Sequence, residues 1–146
     1  MLKKIWLSFS LITLLGIGLQ TFSYATTKGI DTSKDSRILM YNDMLMLVLN
    51  KKTEEAVNKY YFKKLNQRVV VYPYDMDVIK VKRLKGFRGF DFLITIETQP
   101  VIGTHNTVGK DRLNFEISST VPETDNIKLI KYRHLKSYGI PSHLRD

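Results

Sequence analysis

The chain has 146 residues, no cysteine, and 23 lysines and arginines against 14 aspartates and glutamates, which gives a formal net charge of +9 at pH 7. This length suits one domain with a single modest core. The lack of cysteine excludes disulfides, zinc thiolate sites and cysteine nucleophiles, and the excess of positive charge favours anionic neighbours.

The N-terminal segment has the architecture of a secretory signal peptide. Lys3 and Lys4 precede an apolar run over residues 5–19, and Ser23 and Ala25 supply the small residues of a cleavage site after position 25. An uncleaved membrane anchor would require about 20 apolar residues, more than this run contains. Removing the segment 1–25 leaves 21 basic and 14 acidic side chains, a charge of +7. We therefore expect a secreted, basic, extracellular protein with no transmembrane span after cleavage; the lack of cysteine favours a bacterial source.

The next part of the chain predicts a helix. Residues 26–35 are polar and contain a glycine, which indicates a flexible lead-in. Asp35 or Ser36 is a suitable N-cap. Apolar side chains then recur at helical spacing, which predicts a stripe that faces the core. That stripe consists of Ile38, Tyr41, Leu45 and Val48.

The apolar pattern is interrupted at residues 50–53, and Thr53 can cap a second helical segment that runs to Lys64. We therefore expect two helices, or one broken helix, before any strand. The aromatic run 60–62 is interpreted as an anchor of the helix on a sheet rather than as a stacking platform, because large aromatic side chains dominate core burial. The apolar side of this segment contains Ala56, Val57, Tyr60 and Tyr61.

From Val69 the apolar period changes to two, which predicts strands. We expect four or five strands, at residues 69–72, 76–84, 90–98, 112–117 and 127–134. The first ends near Pro73 and so suits a sheet edge. The side chains predicted to share a face within a strand are Ile79 with Val81, then Phe90 with Phe92, Ile94 and Ile96, and then Leu113 with Phe115 and Ile117.

Helices followed by sequential strands with short turns predict an α+β fold, in which N-terminal helices cover one face of a four- to five-stranded antiparallel meander. By analogy this is similar to a cystatin-like or nuclear-transport-factor-like roll. A single domain is expected over residues 36–134, and residues 135–146 form a C-terminal tail.

The loop after the third main strand is the candidate ligand-binding site. It contains Gly103, His105, Asn106 and Gly109, and Asp111 follows it directly. In an antiparallel pair the turn fixes which residues face each other, so a turn near residues 122–123 places Asp111 opposite His134.

A second turn, near residues 87–88, places Glu97 opposite Val78 and close to Asp75 and Asp77. These acidic residues could then share one rim of the sheet with the His105 loop. Histidines and carboxylates are metal ligands by type, but their spacing matches no ligand motif, so we expect no metal and no cofactor.

Two other interpretations of the loop stay open. His105 and Asp111 could act as a base and its orienting acid, although the sequence indicates no nucleophile beside them. Alternatively the loop is structural, with Gly103 and Gly109 at positive φ angles.

Five basic residues and an aromatic one surround the turn between the second and third strands. They are Lys80, Lys82, Arg83, Lys85, Arg88 and Phe87. We interpret this turn as a solvated hairpin rather than a nucleic-acid site, because Glu123 and Asp125 are expected at the same pole and would weaken the positive field.

Several segments resemble the domain of unknown function 3888 family. They are Asp43-Met-Leu45, Ala56-Val-Asn-Lys-Tyr-Tyr61, Val78-Ile-Lys-Val-Lys-Arg83, Gly103-Thr-His-Asn-Thr-Val-Gly109 and Asn114-Phe-Glu-Ile117. The resemblance covers residues 36–134. In the family pattern two prolines usually stand where this chain has Thr107 and Val108. The resemblance implies a small exported protein of a Gram-positive spore-former and transfers no activity.

From these observations we expect a secreted basic protein that is a non-catalytic extracellular or cell-envelope binding or interaction module. Its expected partner is the anionic cell wall or membrane surface, and nucleic acid is not expected. Two alternatives remain: a metal-dependent or histidine-based hydrolase at the His105 loop, and an exported inhibitor or immunity partner.

Overall fold

A computed structural model describes residues 30–103, 105–119 and 126–141. The predicted signal peptide and its cleavage site lie outside these ranges. So do most of the predicted turn at residues 122–126 and the last five residues of the predicted tail.

One helix, α1, runs from Arg37 to Leu65. The predicted start is confirmed: the Ser36 hydroxyl accepts a hydrogen bond from the Leu39 N–H at 3.1 Å. The helix ends at Asn66, which adopts the left-handed conformation with φ 53°.

The predicted interruption of this helix is wrong. Residues 50–53 are helical, and the Thr53 hydroxyl donates to the Leu49 carbonyl at 2.9 Å instead of capping a new segment. A threonine can make this bond inside a helix without ending it, and the lysines beside it are good helix formers.

The predicted core stripe of the helix is wrong at three of its four positions. Ile38, Tyr41 and Val48 are 68%, 63% and 61% exposed, and Leu45 is half-buried. No residue of α1 before Met46 is buried. The buried face consists of Met46, Leu49, Thr53, Ala56, Val57 and Tyr61. Both stripes have helical spacing and large apolar side chains, so periodicity does not distinguish them.

The sheet follows the helix. Its strands are β1 (Met76–Arg83), β2 (Asp91–Thr98), β5 (Gly109–Ser118) and β6 (Ile127–Ser137), and a small hairpin consists of β3 (Val101–Ile102) and β4 (Asn106–Thr107). The four longer strands are antiparallel in the order β1-β2-β5-β6. This confirms the α+β class and the meander, with one helix in place of two.

The predicted strand at residues 69–72 is reduced to a single bridge between Val70 and Val101. Val69 and Val71 are nevertheless buried, and a short 3-10 helix, Pro73–Asp75, leads into β1. Proline has no N–H to donate to a ladder, so the pairing ends here.

The core lies between α1 and the sheet. Ile94, Ile96, Leu113 and Phe115 are buried at alternate positions of β2 and β5, as predicted. Phe90 is 66% exposed, contrary to prediction, because β2 begins only at Asp91.

A bulge in β1 changes which residues share a face. The register with β2 shifts between Val78 and Lys80, so Val78 and Val81 pack against the core. Ile79 instead lines the opposite face of the sheet with Lys80. The predicted pairing of Ile79 with Val81 on one face is therefore wrong, because one inserted residue reverses the alternation.

β6 continues three residues beyond its predicted end, to Ser137. After it, the Tyr138 N–H donates to the Val108 carbonyl at 2.9 Å, and Ile140 packs against the core. Within the described ranges, no helix has the length and apolar character needed to cross a bilayer.

Candidate functional site

Asp111 and His134 are direct cross-strand partners in β5 and β6, as predicted. The His134 Nδ1 lies 2.8 Å from the Asp111 Oδ1. Asp111 is fully buried, and the His134 side chain is 18% exposed. Both side chains lie on the face of the sheet that α1 covers, because the helix residues Tyr60 and Tyr61 contact the imidazole. The pair is therefore a buried carboxylate with a partly exposed imidazole.

Ser137 completes a line of three polar groups. Its hydroxyl oxygen lies 2.8 Å from the His134 Nε2, and the Lys64 ammonium donates to the same oxygen at 2.9 Å. Residues three apart in a regular strand point to opposite faces. Here the register with β5 shifts between Lys110 and Asp111, so Leu135 is an extra residue that returns Ser137 to the His134 face. The sequence carries no signal for this bulge, so Ser137 could not be predicted.

Three tyrosines enclose the Asp111–His134 pair. Tyr60 stacks on the imidazole with ring centroids 4.7 Å apart, and the Tyr61 hydroxyl lies 3.3 Å from Nδ1. The Tyr132 hydroxyl donates to the Asp111 Oδ1 at 2.8 Å. Burial, together with the nearby charge of Asp111, raises the pKa of Tyr61 and of Tyr132. Both phenols therefore stay protonated at neutral pH.

One oxygen of Asp111 is left without a hydrogen-bond partner. Its Oδ2 is buried and accepts no bond from the residues that the structure describes. A buried unpaired acceptor costs free energy of folding, and such atoms often occur at functional sites.

Gly109 has a role different from the predicted one. It does not adopt a positive φ angle; a Cβ at this position would collide with the Tyr61 hydroxyl and lie 3.0 Å from the His134 Cε1. The glycine is therefore needed for close approach of β5 to the helix. Gly103 does have a positive φ, of 53°, as predicted.

The other loop residues lie at the β3–β4 hairpin. His105 adopts φ 63° and its ring lies 5.3 Å from that of Tyr72, while Asn106 begins β4. Burial raises the pKa of Asp75, and the nearby His105 opposes that rise. Among the described residues, no hydrogen bond or ion pair joins Gly103, His105 or Asn106 to the Asp111–His134 pair.

Glu97 lies on the opposite face of the sheet. It pairs with Asp77, one position away from the predicted Val78, because the bulge in β1 shifts the register. Its carboxylate forms ion pairs with Lys110, at 2.6 Å, and with Arg112. Burial alone would raise the pKa of Glu97, but its bonds to these two cations lower it. The predicted acidic rim is thus divided between two faces. Within the described part of the chain, no three His, Cys, Asp or Glu side chains gather as a metal site requires.

The face of the sheet opposite α1 is strongly basic. It contains a shallow cleft of about 270 Å³. The cleft is lined by Ile79, Lys80, Thr95, Arg112, Asn114, Lys131 and Arg133. Four of these seven side chains are cationic and none is acidic. Lys131 and Arg133 come from β6, where they pair with Asn114 and Arg112.

The basic β1–β2 hairpin uses two of its cations to hold its own shape. Arg83 donates to the Gly89 carbonyl and lies over the Phe92 ring, and Lys85 forms an ion pair with Asp91 at 3.1 Å. Phe87 at its tip is 98% exposed. The acidic residues expected at this pole, 123 and 125, lie outside the described ranges.

The model of a family described as "Protein of unknown function (DUF3888)" matches residues 41–136, about two thirds of the chain, which confirms the resemblance seen in the sequence segments. No curated protein and no solved structure matches the chain.

Proposed function

We propose that this chain, which belongs to the DUF3888 family of proteins of unknown function, is a binding module that attaches to phosphate-bearing anionic surfaces of the cell envelope. The observation that carries the proposal is the basic cleft on the open face of the sheet. Clefts lined by one sign of charge concentrate ions of the opposite sign.

The cleft is suited to phosphate groups by its donors. Arg133 presents a planar guanidinium group, which can bind two phosphate oxygens at once, and Lys80 and Lys131 add point charges. Arg112 adds positive charge, although its Nε and Nη2 already donate to Glu97. Asn114 and Thr95 supply neutral donors between them. The ion pair with Glu97 fixes the position of the Arg112 side chain at the cleft. The cleft still has a net positive charge, because its other three cationic side chains outnumber this one carboxylate.

Two surfaces outside a cell offer this chemistry: anionic lipid head groups and phosphate polymers of the wall. The exposed Phe87 at the hairpin tip adds an apolar contact that a lipid surface can accept and a polymer does not need. The protein would act outside the cell. The predicted signal peptide in residues 1–25 supports this location. An intact mass of the secreted protein that includes these residues would contradict export by cleavage.

The test measures binding to phosphatidylglycerol vesicles and, separately, to inorganic polyphosphate, as a function of salt. We expect saturable binding that weakens steeply as ionic strength rises. The variant Lys131→Gln/Arg133→Gln should bind about 30-fold less tightly, since each cation near an anionic surface contributes about 1 kcal/mol.

The matched control is Lys59→Gln/Lys63→Gln, which removes the same charge from the helix side of the molecule and should bind about as well as the wild type. Phe87→Ser distinguishes the two sources of phosphate. If this variant binds vesicles less tightly but polyphosphate as well as the wild type does, the ligand is a lipid head group. If its binding to both is unchanged, the ligand is the wall polymer. Equal binding by the two double variants, or binding that ignores salt, would contradict the role of the cleft.

A further inference from the structure

We propose that Ser137 is a nucleophile activated by His134 and Asp111, and that the protein hydrolyses carboxylic esters at this site. The site lies on the helix side of the sheet, away from the basic cleft, so this activity goes beyond the binding role. It rests on the order and spacing of three side chains.

The three groups form an acid–imidazole–hydroxyl line. The Asp111 Oδ1 is 2.8 Å from the His134 Nδ1, and the His134 Nε2 is 2.8 Å from the Ser137 Oγ. Unrelated enzymes that activate a serine use this same sequence of contacts, and geometry rather than chain order identifies it.

The surroundings fix the tautomer that the chemistry needs. Asp111 accepts at Nδ1, so that nitrogen carries the proton and Nε2 is left to accept from the Ser137 hydroxyl. Tyr60 stacks on the ring and Tyr132 holds the carboxylate, which together fix the orientation of the imidazole. The base is thus oriented before any substrate binds.

Lys64 supports the reaction from the other side of the hydroxyl. Its ammonium donates to Oγ at 2.9 Å, so the hydroxyl hydrogen is directed at Nε2. The oxyanion forms on the carbonyl oxygen of the substrate rather than on Oγ. Lys64 can stabilise it by transferring its hydrogen bond from Oγ to that oxygen.

A substrate can reach the hydroxyl. Ser137 is exposed, and an open groove of about 620 Å³ lies between α1 and β6, with Lys64 belonging both to the groove and to the site. The other residues of the groove are Ala56, Lys59, Tyr60, Lys63, Leu129 and Tyr132. The apolar and aromatic walls suit an acyl chain, and the lysines suit a negative charge. The expected substrate class is an anionic ester with an apolar acyl group.

The reaction proceeds in two steps, acylation of Ser137 and hydrolysis of the acyl-serine. Ser137 Oγ attacks the ester carbonyl carbon while its proton passes to His134 Nε2, and the alcohol leaves with that proton, which gives an acyl-serine. Water then attacks the acyl carbon and gives its proton to Nε2. The carboxylic acid leaves as the proton returns to Ser137 Oγ.

The unpaired Oδ2 of Asp111 fits this role. A fully buried carboxylate with one bare oxygen destabilises the fold, and an apolar residue would cost less at this position. A catalytic pairing with His134 gives a reason for its presence.

The experiment uses the full protein with two probes, a fluorophosphonate that labels activated serines and p-nitrophenyl butyrate as the ester. We expect the wild type to be labelled on the peptide that contains Ser137 and to release p-nitrophenol above the buffer rate. Ser137→Ala should abolish both signals, and His134→Asn should reduce turnover by about 10²- to 10⁴-fold.

Ser119→Ala is the matched control, because it removes another exposed serine hydroxyl and should leave both signals unchanged. Circular dichroism shows whether each variant folds, and Ser137→Ala changes only an exposed side chain. Label on a different residue, or wild-type turnover equal to that of Ser137→Ala, would overturn the proposal. Ser137→Ala should bind polyphosphate and vesicles as tightly as the wild type does. A failure of the esterase proposal can therefore be distinguished from a failure of the binding role.

Discussion

The imidazole Nδ1 of His134 lies 2.8 Å from the Oδ1 of Asp111, in residues that face each other across β5 and β6. This contact joins the sheet to the helix, because the Tyr61 hydroxyl reaches the same imidazole nitrogen at 3.3 Å. The geometry of the cluster therefore depends on how closely β5 approaches α1.

Gly109→Ala tests this close approach. The added methyl group would collide with the Tyr61 hydroxyl and with the Lys136 carbonyl, so either the helix or the strand must move. We expect a loss of about 1–3 kcal/mol in the free energy of unfolding, measured in urea. Gly139→Ala is the control, because a Cβ there meets nothing within 4 Å. Equal stability of the two variants would show that Gly109 is not needed for packing.

The buried face of α1 is tested by two leucines of the same helix. Leu49 is fully buried and Leu47 is 68% exposed. Leu49→Ala should lower the free energy of unfolding by about 2–5 kcal/mol, because it removes packed atoms and leaves a cavity. Leu47→Ala should change it by less than about 0.5 kcal/mol. The opposite ranking would show that the buried face of α1 is assigned wrongly.

Neighbouring positions of β2 test the two faces of the sheet. Ile94 is 3% exposed in the core, whereas Thr95 lines the basic cleft. Ile94→Asp should unfold the domain, because an unpaired buried carboxylate costs several kcal/mol, about the whole stability of a small domain. Thr95→Asp should remain folded by circular dichroism. Comparable melting of both variants would mean that the core face is assigned wrongly.

The fold was predictable where apolar side chains alternate without interruption, as in β2 and β5. Ser36 as the N-cap was also predictable, since the capping bond is local. The positions of the bulges were not, because an inserted residue leaves no mark in composition. The β1 bulge moved Glu97 one position from its expected partner, and the β6 bulge brought Ser137 beside His134.

The candidate site was predictable only in part for the same reason. Asp111 and His134 could be paired because the turn between their strands sets the register. Tyr61 and Lys64 lie in the helix. The register between two strands does not determine how a helix packs on the sheet, so these two residues could not be placed at the site. His105 could be assigned to the loop between β2 and β5, but not to one face of the sheet. The shape of a short hairpin such as β3–β4 depends on the backbone conformation of single residues, here Gly103 and His105.

The acid stability of the fold should depend on Glu97. Its pKa in the folded protein lies below its ordinary value of 4.5, so its ionised form stabilises the fold. That contribution is fully present above pH 4.5 and is lost as the pH falls through the folded pKa. The difference in unfolding free energy between the wild type and Glu97→Gln should therefore shrink below about pH 4. Glu116→Gln, on the same face, is the control; the same pH dependence in both variants would argue against the ion pairs of Glu97.

The most direct test of the binding role is an NMR titration of ¹⁵N-labelled protein with short-chain polyphosphate at low salt. The account predicts saturable shifts of amide signals around the basic cleft, in Thr95, Arg112, Asn114, Lys131 and Arg133, which reverse when salt is added. Shifts confined to α1 or to the β3–β4 hairpin, or no saturable shift at any polyphosphate concentration, would contradict it.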